Sequence, residues 1–449
     1  MKFSAQNPVK SLHLVSLGCT KNLVDSEIML GKLKEYKISD DATNADVLIV
    51  NTCGFIDSAK EESINTILDL HEQRKDESVL VVAGCLTQRY QEELQKEIPE
   101  VDIFTGVGDY DRIDELVEQK RSAFTNQVFL ASDENERVIT GSSYHAYVKL
   151  SEGCNQTCSF CAIPSFKGKL HSRTLISLVK EVKSLVAKGY TDFSFVSQDS
   201  SSFLRDQGHK DGLEQLIKEV DKIEGIKTAR ILYLYPSTTT LSLIDTIADS
   251  NTFENYFDMP LQHITPSMLK IMKRGKGVEK LNELMDHMKS KPNSFVRTTF
   301  IAGHPGETQE DHEALCEYIA NYKFDRANVF SYSTEEGTSA AKSDALIEQE
   351  TIDQRADEIG EIIAKTTQES LEKEVGKTFE VYIDGESDEH EFLLSARKTT
   401  WAPDIDGEIY INDNELYDEN NPEQLAFGQI YTVRVTELSG DKLLATVIK

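Results

Sequence analysis

The sequence has no long apolar run. Its first stretch, MKFSAQNPVKSLHLVSLG, is only briefly apolar, and no later run approaches the roughly 18 apolar residues that a membrane-spanning helix needs. The same stretch is too short to supply the hydrophobic region of a signal peptide. We therefore expect a cytoplasmic protein that does not bind a membrane.

Cysteine is also scarce, with seven residues in a chain of 449. An odd and small number excludes a disulfide framework, so metal binding, catalysis or simple burial remain as roles for the thiols. Cys316, in HEALCEYI, shares a predicted helix face with Leu315 and Ile319 and is expected in the core. The other six form two groups of three.

Basic residues are outnumbered, with 48 Lys and Arg against 77 Asp and Glu and a net charge of −29. Residues 376–449 carry 6 basic and 16 acidic residues, a net of −10 (6 − 16). Such a segment binds phosphates poorly and favours a basic protein as partner, although solubility alone also explains a negative surface.

Three patterns divide the chain into residues 1–140, 141–375 and 376–449, within an α/β fold. In the first segment, short apolar runs alternate with helical patterns, one over residues 25–36, which predicts a doubly wound parallel sheet. The second contains six βα units, which suits a partial (β/α) barrel. The third contains five short alternating strands and predicts a small antiparallel barrel of the OB type.

Three cysteines each follow a predicted strand of the first segment: Cys19 in LGCTKN, Cys53 in NTCGF and Cys85 in AGCLTQR. The carboxyl ends of parallel strands meet along one edge of a sheet, and ligands bind there. We therefore expect the three thiols to converge as a ligand trio. The alternative is three buried and inert thiols.

The other trio lies in SEGCNQTCSFC, where Cys154, Cys158 and Cys161 have the spacing CxxxCxxC. Thiolates suit zinc or an iron–sulfur cluster. Zinc would need a fourth Cys or His, and nothing marks the nearest candidate, His171, as a ligand. Three cysteines on a 4Fe-4S cluster leave the fourth iron open to a small molecule.

This motif on the first strand of a βα barrel resembles the radical S-adenosylmethionine (SAM) superfamily. In that superfamily the amino and carboxylate groups of SAM bind the open iron, and an electron from the cluster cleaves SAM to a deoxyadenosyl radical. The longer motifs LGCTKNLVDSEIM, NTCGFIDSAKEESI, AGCLTQRY and SEGCNQTCSFCAIPSFKGKLHSR resemble the methylthiotransferase family over nearly the whole chain.

The resemblance implies an N-terminal methylthiotransferase domain, a radical SAM domain and a C-terminal TRAM domain. It also implies a second 4Fe-4S cluster, on Cys19, Cys53 and Cys85, whose open iron carries the sulfur to be transferred. SAM would serve as methyl donor and as radical source, with no catalytic side chain beyond the cluster-bound cofactors. An electron donor such as flavodoxin or ferredoxin would act as a partner.

Two branches of that family compete. KNLVDSE and CGFIDSAKEESI resemble the RimO type, which replaces a β-carbon hydrogen of an aspartate in ribosomal protein S-twelve, free or in the small subunit, with a methylthio group. The MiaB type modifies adenosine 37 of tRNA and tends to have QMN and CSVR at these places. The acidic third segment agrees with the RimO type, with no specific nucleic acid expected.

The sequence departs from the RimO pattern at Thr20, where proline is usual, and at His304, where phenylalanine is usual. Neither change touches a predicted ligand. The MiaB-like tRNA enzyme remains an alternative, and a non-enzymatic iron–sulfur binding or sensing protein is a second.

The resemblance also predicts contacts to SAM. Phe160 and the backbone at Gly303 and Gly306 would lie near the adenine, although an aromatic in the core and an ordinary Gly–Pro turn explain them equally. Gln198 and Asp199, in VSQDSS, would hold the methionine amino group.

Gln262 and His263, in LQHI, would face the ribose, although a lone histidine is more often structural. Arg297 would bind the carboxylate of SAM, or equally an acidic neighbour such as Glu307.

Overall fold

The computed structural model of the protein describes residues 9–275, 277–416 and 425–449. Within these ranges the chain forms two parallel sheets, a closed barrel and a short two-stranded sheet. None of the helices in the described ranges has the length and apolar character to span a bilayer.

The first sheet contains five parallel strands in the order β2-β1-β3-β4-β5: β1 Ser11–Ser16, β2 Lys37–Ile38, β3 Val47–Thr52, β4 Val79–Gly84 and β5 Ile103–Phe104. Its helices are α1 Thr20–Lys32, α2 Asp57–Gln73, α3 Cys85–Arg89, α4 Gln91–Glu97 and α5 Ile113–Gln119. Ile49 and Val81 pack into one core and Leu48 and Leu80 into another, so both faces of the sheet are covered. The predicted doubly wound sheet is confirmed.

Helix α1 begins earlier than the predicted residues 25–36. It starts at Thr20, directly after Cys19, and ends at Lys32. Its first turns bury polar side chains, among them Asn22 and Asp25, so they lack the apolar spacing from which a helix is predicted.

Across the described residues of the central part there are eight strands: β6 His145–Lys149, β7 Ser151–Glu152, β8 His171–Ser172, β9 Asp192–Val196, β10 Thr228–Ile231, β11 Phe253–Asp258, β12 Phe295–Ala302 and β13 Arg326–Ser331. Six of them form one parallel sheet in the order β13-β12-β11-β10-β9-β6, while β7 and β8 pair separately and antiparallel. Because β13 and β6 are its two edges, the sheet is an open barrel, as predicted from six βα units.

The helices of the central part are α6 Ile163–Phe166, α7 Leu175–Ala187, α8 Gly212–Val220, α9 Leu241–Ala248, α10 Pro266–Ile271, α11 Gly277–Lys289, α12 Gln309–Tyr322 and α13 Gln349–Glu372. Leu178 of α7, Leu216 of α8 and Leu284 of α11 pack with Phe193 and Phe257 of the sheet in one buried core. This core fixes the strands from outside and leaves their carboxyl ends to carry the site.

The last five strands close into a barrel: β14 Thr378–Glu386, β15 Leu394–Lys398, β16 Ile409–Asn414, β17 Ile430–Ser439 and β18 Lys442–Val447. The five predicted strands are confirmed. Four of the five strand pairs are antiparallel, but β16 and β18 pair parallel. The small antiparallel barrel expected from the sequence is confirmed, with this one parallel pair as the difference.

The other two parts cover opposite edges of the central sheet. The terminal barrel meets the strand beginnings, where Arg397 lies 2.6 Å from Asp192 and the hydroxyl of Tyr382 lies 2.8 Å from that of Thr228. The first sheet meets the loops after the strands, where Arg89 lies 2.5 Å from Glu335. The carboxyl edge of the central sheet therefore faces the N-terminal part of the chain.

His145, the first residue of β6, is buried at the barrel contact with its Nε2 2.9 Å from the Ser194 hydroxyl. Burial, helped by Arg397 and Arg230 and opposed by Asp192, lowers its pKa from 6.5 to about 3. Between these two values the unfolded chain binds a proton that the folded chain does not. This contribution therefore destabilises the protein as the pH falls from 6.5 towards 3.

We predict that lowering the pH from 7 to 5 reduces the free energy of unfolding by about 2 kcal/mol more in the wild type than in His145→Gln. Urea unfolding at the two pH values, followed by far-ultraviolet circular dichroism, measures this difference. The exposed His209→Gln serves as control and should keep the wild-type pH dependence. Equal pH dependence in all three proteins would contradict the prediction.

Candidate functional site

The structure brings Cys19, Cys53 and Cys85 to one edge of the first sheet. They follow the neighbouring strands β1, β3 and β4, and Cys85 opens α3. The side-chain amide of Asn22 ties two of these strand ends together, donating to the carbonyls of Leu17 at 3.1 Å and Thr52 at 2.9 Å.

Glycines allow these loops to approach one another closely. Gly18 has a φ of 84°, and a Cβ at this position would lie 2.6 Å from the Cβ and 2.8 Å from the Sγ of Cys53. A Cβ on Gly54 would lie 2.7 Å from the Cα of Leu86. Since non-bonded atoms do not approach this closely, only glycine permits the observed spacing of the cysteine loops.

The second trio lies in the loop that follows β7. The amide of Cys154 donates to the carbonyl of Gly168 at 3.1 Å, and the amide of Cys161 donates to the carbonyl of Cys158 at 3.2 Å. The Sγ of Cys158 lies 3.4 Å from the guanidinium of Arg274. This cation was not predicted, and the only sequence signal for it is the basic, glycine-containing run KRGKG after α10.

The donor sets fit a sulfur-bound polynuclear cluster. Each trio offers three thiols, and an iron–sulfur cluster takes each cysteine on a separate iron. Burial raises the pKa of Cys85, Cys154 and Cys161 to about 12, so metal binding there must displace protons.

Gln198 and Asp199, predicted to hold the methionine amino group of SAM, differ in whether they have a free hydrogen-bond acceptor. Gln198 donates through its Nε2 to Glu152, and its buried Oε1 has no hydrogen-bond partner among the described residues. Asp199 is already engaged, accepting from Gln156 Nε2 at 2.7 Å and from the Ser202 hydroxyl at 2.6 Å. Gln198 therefore has a free acceptor, whereas Asp199 holds its own loop in place.

Gln262 and His263 also present free polar atoms. The Nδ1 of His263 accepts from the amide of Ile264 at 2.9 Å, so its Nε2 carries the hydrogen when the ring is neutral. That Nε2 and the Oε1 of Gln262 are buried without a partner among the described residues. Burial lowers the pKa of His263 to about 4, which keeps the ring neutral at pH 7.

The structure does not bring Arg297 close to the free polar atoms of Gln198, Gln262 and His263. It is the third residue of β12, close to the strand beginnings, and lies 3.2 Å from Asp258 and 3.3 Å from Asp406 of the terminal barrel. The predicted alternative of an acidic neighbour is therefore met by Asp258 and Asp406. The example given, Glu307, is wrong, because it lies 3.5 Å from Arg355 instead. Two carboxylates engage Arg297, and we do not carry it into the proposed cofactor site.

Phe160 and His304 lie beside the second trio. The rings are 6.2 Å apart, and the Nε2 of His304 lies 2.8 Å from the hydroxyl of Ser159, next to Cys158. The departure from the family pattern at position 304 thus touches the CxxxCxxC loop directly. Burial lowers the pKa of His304 to about 4.

At the two positions predicted near the adenine, Gly303 and Gly306, the local structure itself requires glycine. A Cβ on Gly303 would lie 2.6 Å from the Cγ1 of Ile352, so α13 packs against its missing side chain. Gly306 has a φ of 87° and its amide donates to the carbonyl of Ala345 at 3.0 Å, which makes it a turn residue.

A buried ionic network, which was not predicted, joins the two parts that carry the cysteines. Lys149, at the end of β6, pairs with Asp25 of α1 and lies 2.7 Å from Glu152. Lys167 lies 3.5 Å from Asp25 and 3.4 Å from Glu152. Burial raises the pKa of Glu152, but Lys149 and Lys167 outweigh this effect and hold it well below its ordinary value.

Three family models match the chain in order along its length. They are the uncharacterized protein family UPF0004 over residues 11–106, the radical SAM superfamily over residues 148–319 and the TRAM domain over residues 375–448. Among solved structures, the radical SAM methyltransferase TsrM from Kitasatospora setae has a TM-score of 0.51 at 14% identity, covering 72% of this chain and 74% of that one. This likeness supports the fold alone.

Curated relatives match over the whole length. The ribosomal protein uS12 methylthiotransferase RimO of Aliarcobacter butzleri is 80% identical and covers 100% of both chains. The proteins with the same name from Sulfurovum sp. and Campylobacter jejuni are 62% and 55% identical, each over 98% of this chain and 99% of theirs. The chain therefore belongs to the ribosomal protein uS12 methylthiotransferase family of radical SAM enzymes.

Proposed function

We propose that this protein replaces a β-carbon hydrogen of an aspartate in ribosomal protein uS12 (S-twelve) with a methylthio group. The observation that carries the proposal is the placement of two cysteine trios in facing parts of the chain, joined by the buried ionic network of Asp25, Lys149, Glu152 and Lys167. One trio alone would serve an iron–sulfur binding protein. Two trios suit a reaction that needs both a radical and a transferable sulfur.

In this proposal Cys154, Cys158 and Cys161 hold the 4Fe-4S cluster that binds SAM. A second cluster is held by a separate set: Cys19, Cys53 and Cys85. When bound, the two clusters and SAM supply the deoxyadenosyl radical and the methylated sulfur. An electron donor of the flavodoxin or ferredoxin class would reduce them, and a ribosomal substrate places the enzyme in the cytoplasm.

The protein's own side chains orient SAM. The free Oε1 of Gln198 would accept from the methionine amino group. The Nε2–H of His263 and the Oε1 of Gln262 would bind the ribose hydroxyls, and Phe160 would cover the adenine. We place the domain boundaries near residues 140 and 375, so that the first domain closes over the carboxyl edge of the second and excludes water from the reacting groups.

The surface of the terminal barrel suits a basic partner. Its basic residues are largely neutralised, since Arg397 is buried against Asp192, Lys442 lies 2.7 Å from Glu408, and Arg434 lies 2.8 Å from Glu415. Many acidic residues remain exposed: Glu380, Glu386, Asp388, Glu391, Asp404, Asp413, Glu437 and Asp441. This surface should attract a basic ribosomal protein and repel RNA.

Gly18→Ala should damage the first trio alone. The added Cβ would collide with Cys53, so we expect iron to fall from about eight to about four atoms per chain. Deoxyadenosine should still form, because the second trio is intact, whereas methylthio product should be lost. Iron analysis and product chromatography of the reconstituted enzyme measure all three quantities.

Gly141→Ala is the matched control. Gly141 has a similar φ of 78°, but a Cβ there would meet nothing within 4 Å. It introduces the same backbone strain without the collision, and should keep wild-type iron and product. If Gly18→Ala forms as much methylthio product as the wild type, Cys19, Cys53 and Cys85 do not hold a cluster that the reaction needs.

The substrate is tested by incubating the reconstituted enzyme with purified uS12 and, separately, with unmodified tRNA. We expect mass spectrometry to find the methylthio group on an aspartate of uS12 and none on tRNA. Affinity for uS12 should fall steeply with salt, because the Debye length shortens from about 10 Å at 0.1 M to about 3 Å at 1 M.

The triple variant Glu386→Lys, Asp388→Lys and Glu391→Lys should slow association with uS12 and strengthen binding to tRNA. Asp384, an acidic residue on the same strand as Glu386, is not changed because it is half-buried and hydrogen-bonded to Tyr144 and Arg397. Methylthioadenosine in the tRNA and unmodified uS12 would establish the tRNA enzyme instead.

A further inference from the structure

Lys21 is a buried cation that forms no ion pair with a carboxylate among the described residues. It lies in the first turn of α1, two residues after Cys19, and its side chain is buried. Among the described residues it forms no ion pair, whereas the neighbouring Lys149 and Lys167 each pair with Asp25 and Glu152. Because an unpaired buried charge is costly, the position of Lys21 needs a reason beyond folding.

The ammonium of Lys21 lies at the junction between the two parts that carry the cysteines. It is 3.5 Å from the ring centroid of Tyr233, which follows β10 at the carboxyl edge of the central sheet. Tyr233 has a left-handed φ of 63°, and its amide donates to Asp258 at 3.0 Å, which holds the ring in place. A cation over an aromatic face keeps its charge and still has N–H groups for another acceptor.

Among the described residues, Arg274 is a further buried cation near the trios without a carboxylate partner, and it is already engaged. Arg274 donates to the carbonyl of Pro260, lies 3.4 Å from the Sγ of Cys158 and covers the ring of Tyr235 at 4.3 Å. Lys149 and Lys167 are neutralised by carboxylates. Lys21 is therefore the basic side chain in this region that is best placed to receive an anion from outside the chain.

We propose that Lys21 binds the side-chain carboxylate of the aspartate to be modified. The proposal rests on the proposed function and names a substrate-binding group within it. In aspartate the β-carbon is bonded directly to the carboxylate carbon, so a cation that fixes the carboxylate also fixes the carbon whose hydrogen is replaced. Lys21 lies two residues after Cys19 in the chain, so it would hold that carbon close to the trio proposed to carry the sulfur.

The test compares uS12 with a uS12 variant in which the modified aspartate is changed to asparagine. Dissociation constants of the reconstituted enzyme are measured for both proteins with wild type, Lys21→Met and Lys21→Arg. Wild type should bind the aspartate form about 10- to 100-fold more tightly, the range expected for a hydrogen bond to a charged group. Lys21→Met should reduce this ratio to near one, and Lys21→Arg should restore part of it.

Lys32→Met is the matched control, since Lys32 ends the same helix and is exposed, and it should keep the wild-type ratio. A purely structural role for Lys21 would weaken binding of both uS12 forms equally and leave the ratio unchanged, which would overturn the proposal. So would a wild-type enzyme that binds both forms alike, whether or not Lys21→Met folds. If wild type yields no methylthio-aspartate at all, the proposed function fails instead.

Discussion

Four charged side chains that water does not reach hold the N-terminal sheet against the central sheet. Asp25 comes from α1, while Lys149, Glu152 and Lys167 come from β6 and the segment that follows it. Two cations and two anions cancel, so the network is neutral as a whole. Taking any one of them away leaves an uncompensated buried charge, which typically costs about 3–5 kcal/mol. The relative position of the two cysteine trios depends on this network.

A second buried network acts at the opposite edge of the central sheet. Asp192 accepts from Arg397 of the terminal barrel at 2.6 Å and lies 2.8 Å from Arg230 of the sheet itself. The two arginines hold the pKa of Asp192 below its ordinary range despite its burial, which by itself would raise it. The terminal barrel is thereby fixed at the edge opposite the cysteine loops. The proposed reaction site and the proposed binding surface for uS12 would therefore lie at opposite edges of one sheet.

The parallel strands, the terminal barrel and the two cysteine trios could be predicted, because each is indicated by a local sequence pattern. Apolar runs located the parallel strands, and the common edge of such strands was enough to bring Cys19, Cys53 and Cys85 together. The CxxxCxxC spacing is local and needed no tertiary information. The five strands of the terminal barrel were equally predictable, because apolar and polar residues alternate along a strand with one buried face.

The features that escaped prediction depend on contacts between parts of the chain. Helix α1 was placed too late because Asn22 and Asp25 are buried by bonds to distant residues, which no periodicity reveals. For Arg297 the sequence left the carboxylate of SAM and an acidic neighbour equally open, because its strand was predicted but its partners, Asp258 and Asp406, were not. Nothing in the sequence around Lys21 indicates a binding role, because its contact with the ring of Tyr233 is visible only in the folded structure.

If the buried network positions the two trios for one reaction, disturbing it should uncouple product formation from radical formation. The most direct measurement is the ratio of methylthio product to deoxyadenosine in Asp25→Asn, which keeps the shape of the side chain but removes its charge. The exposed Asp69→Asn is the control. We predict that Asp25→Asn keeps its iron and still forms deoxyadenosine, while product per deoxyadenosine falls roughly tenfold or more, because small misplacements cost large factors in rate. An unchanged ratio in Asp25→Asn would contradict the account.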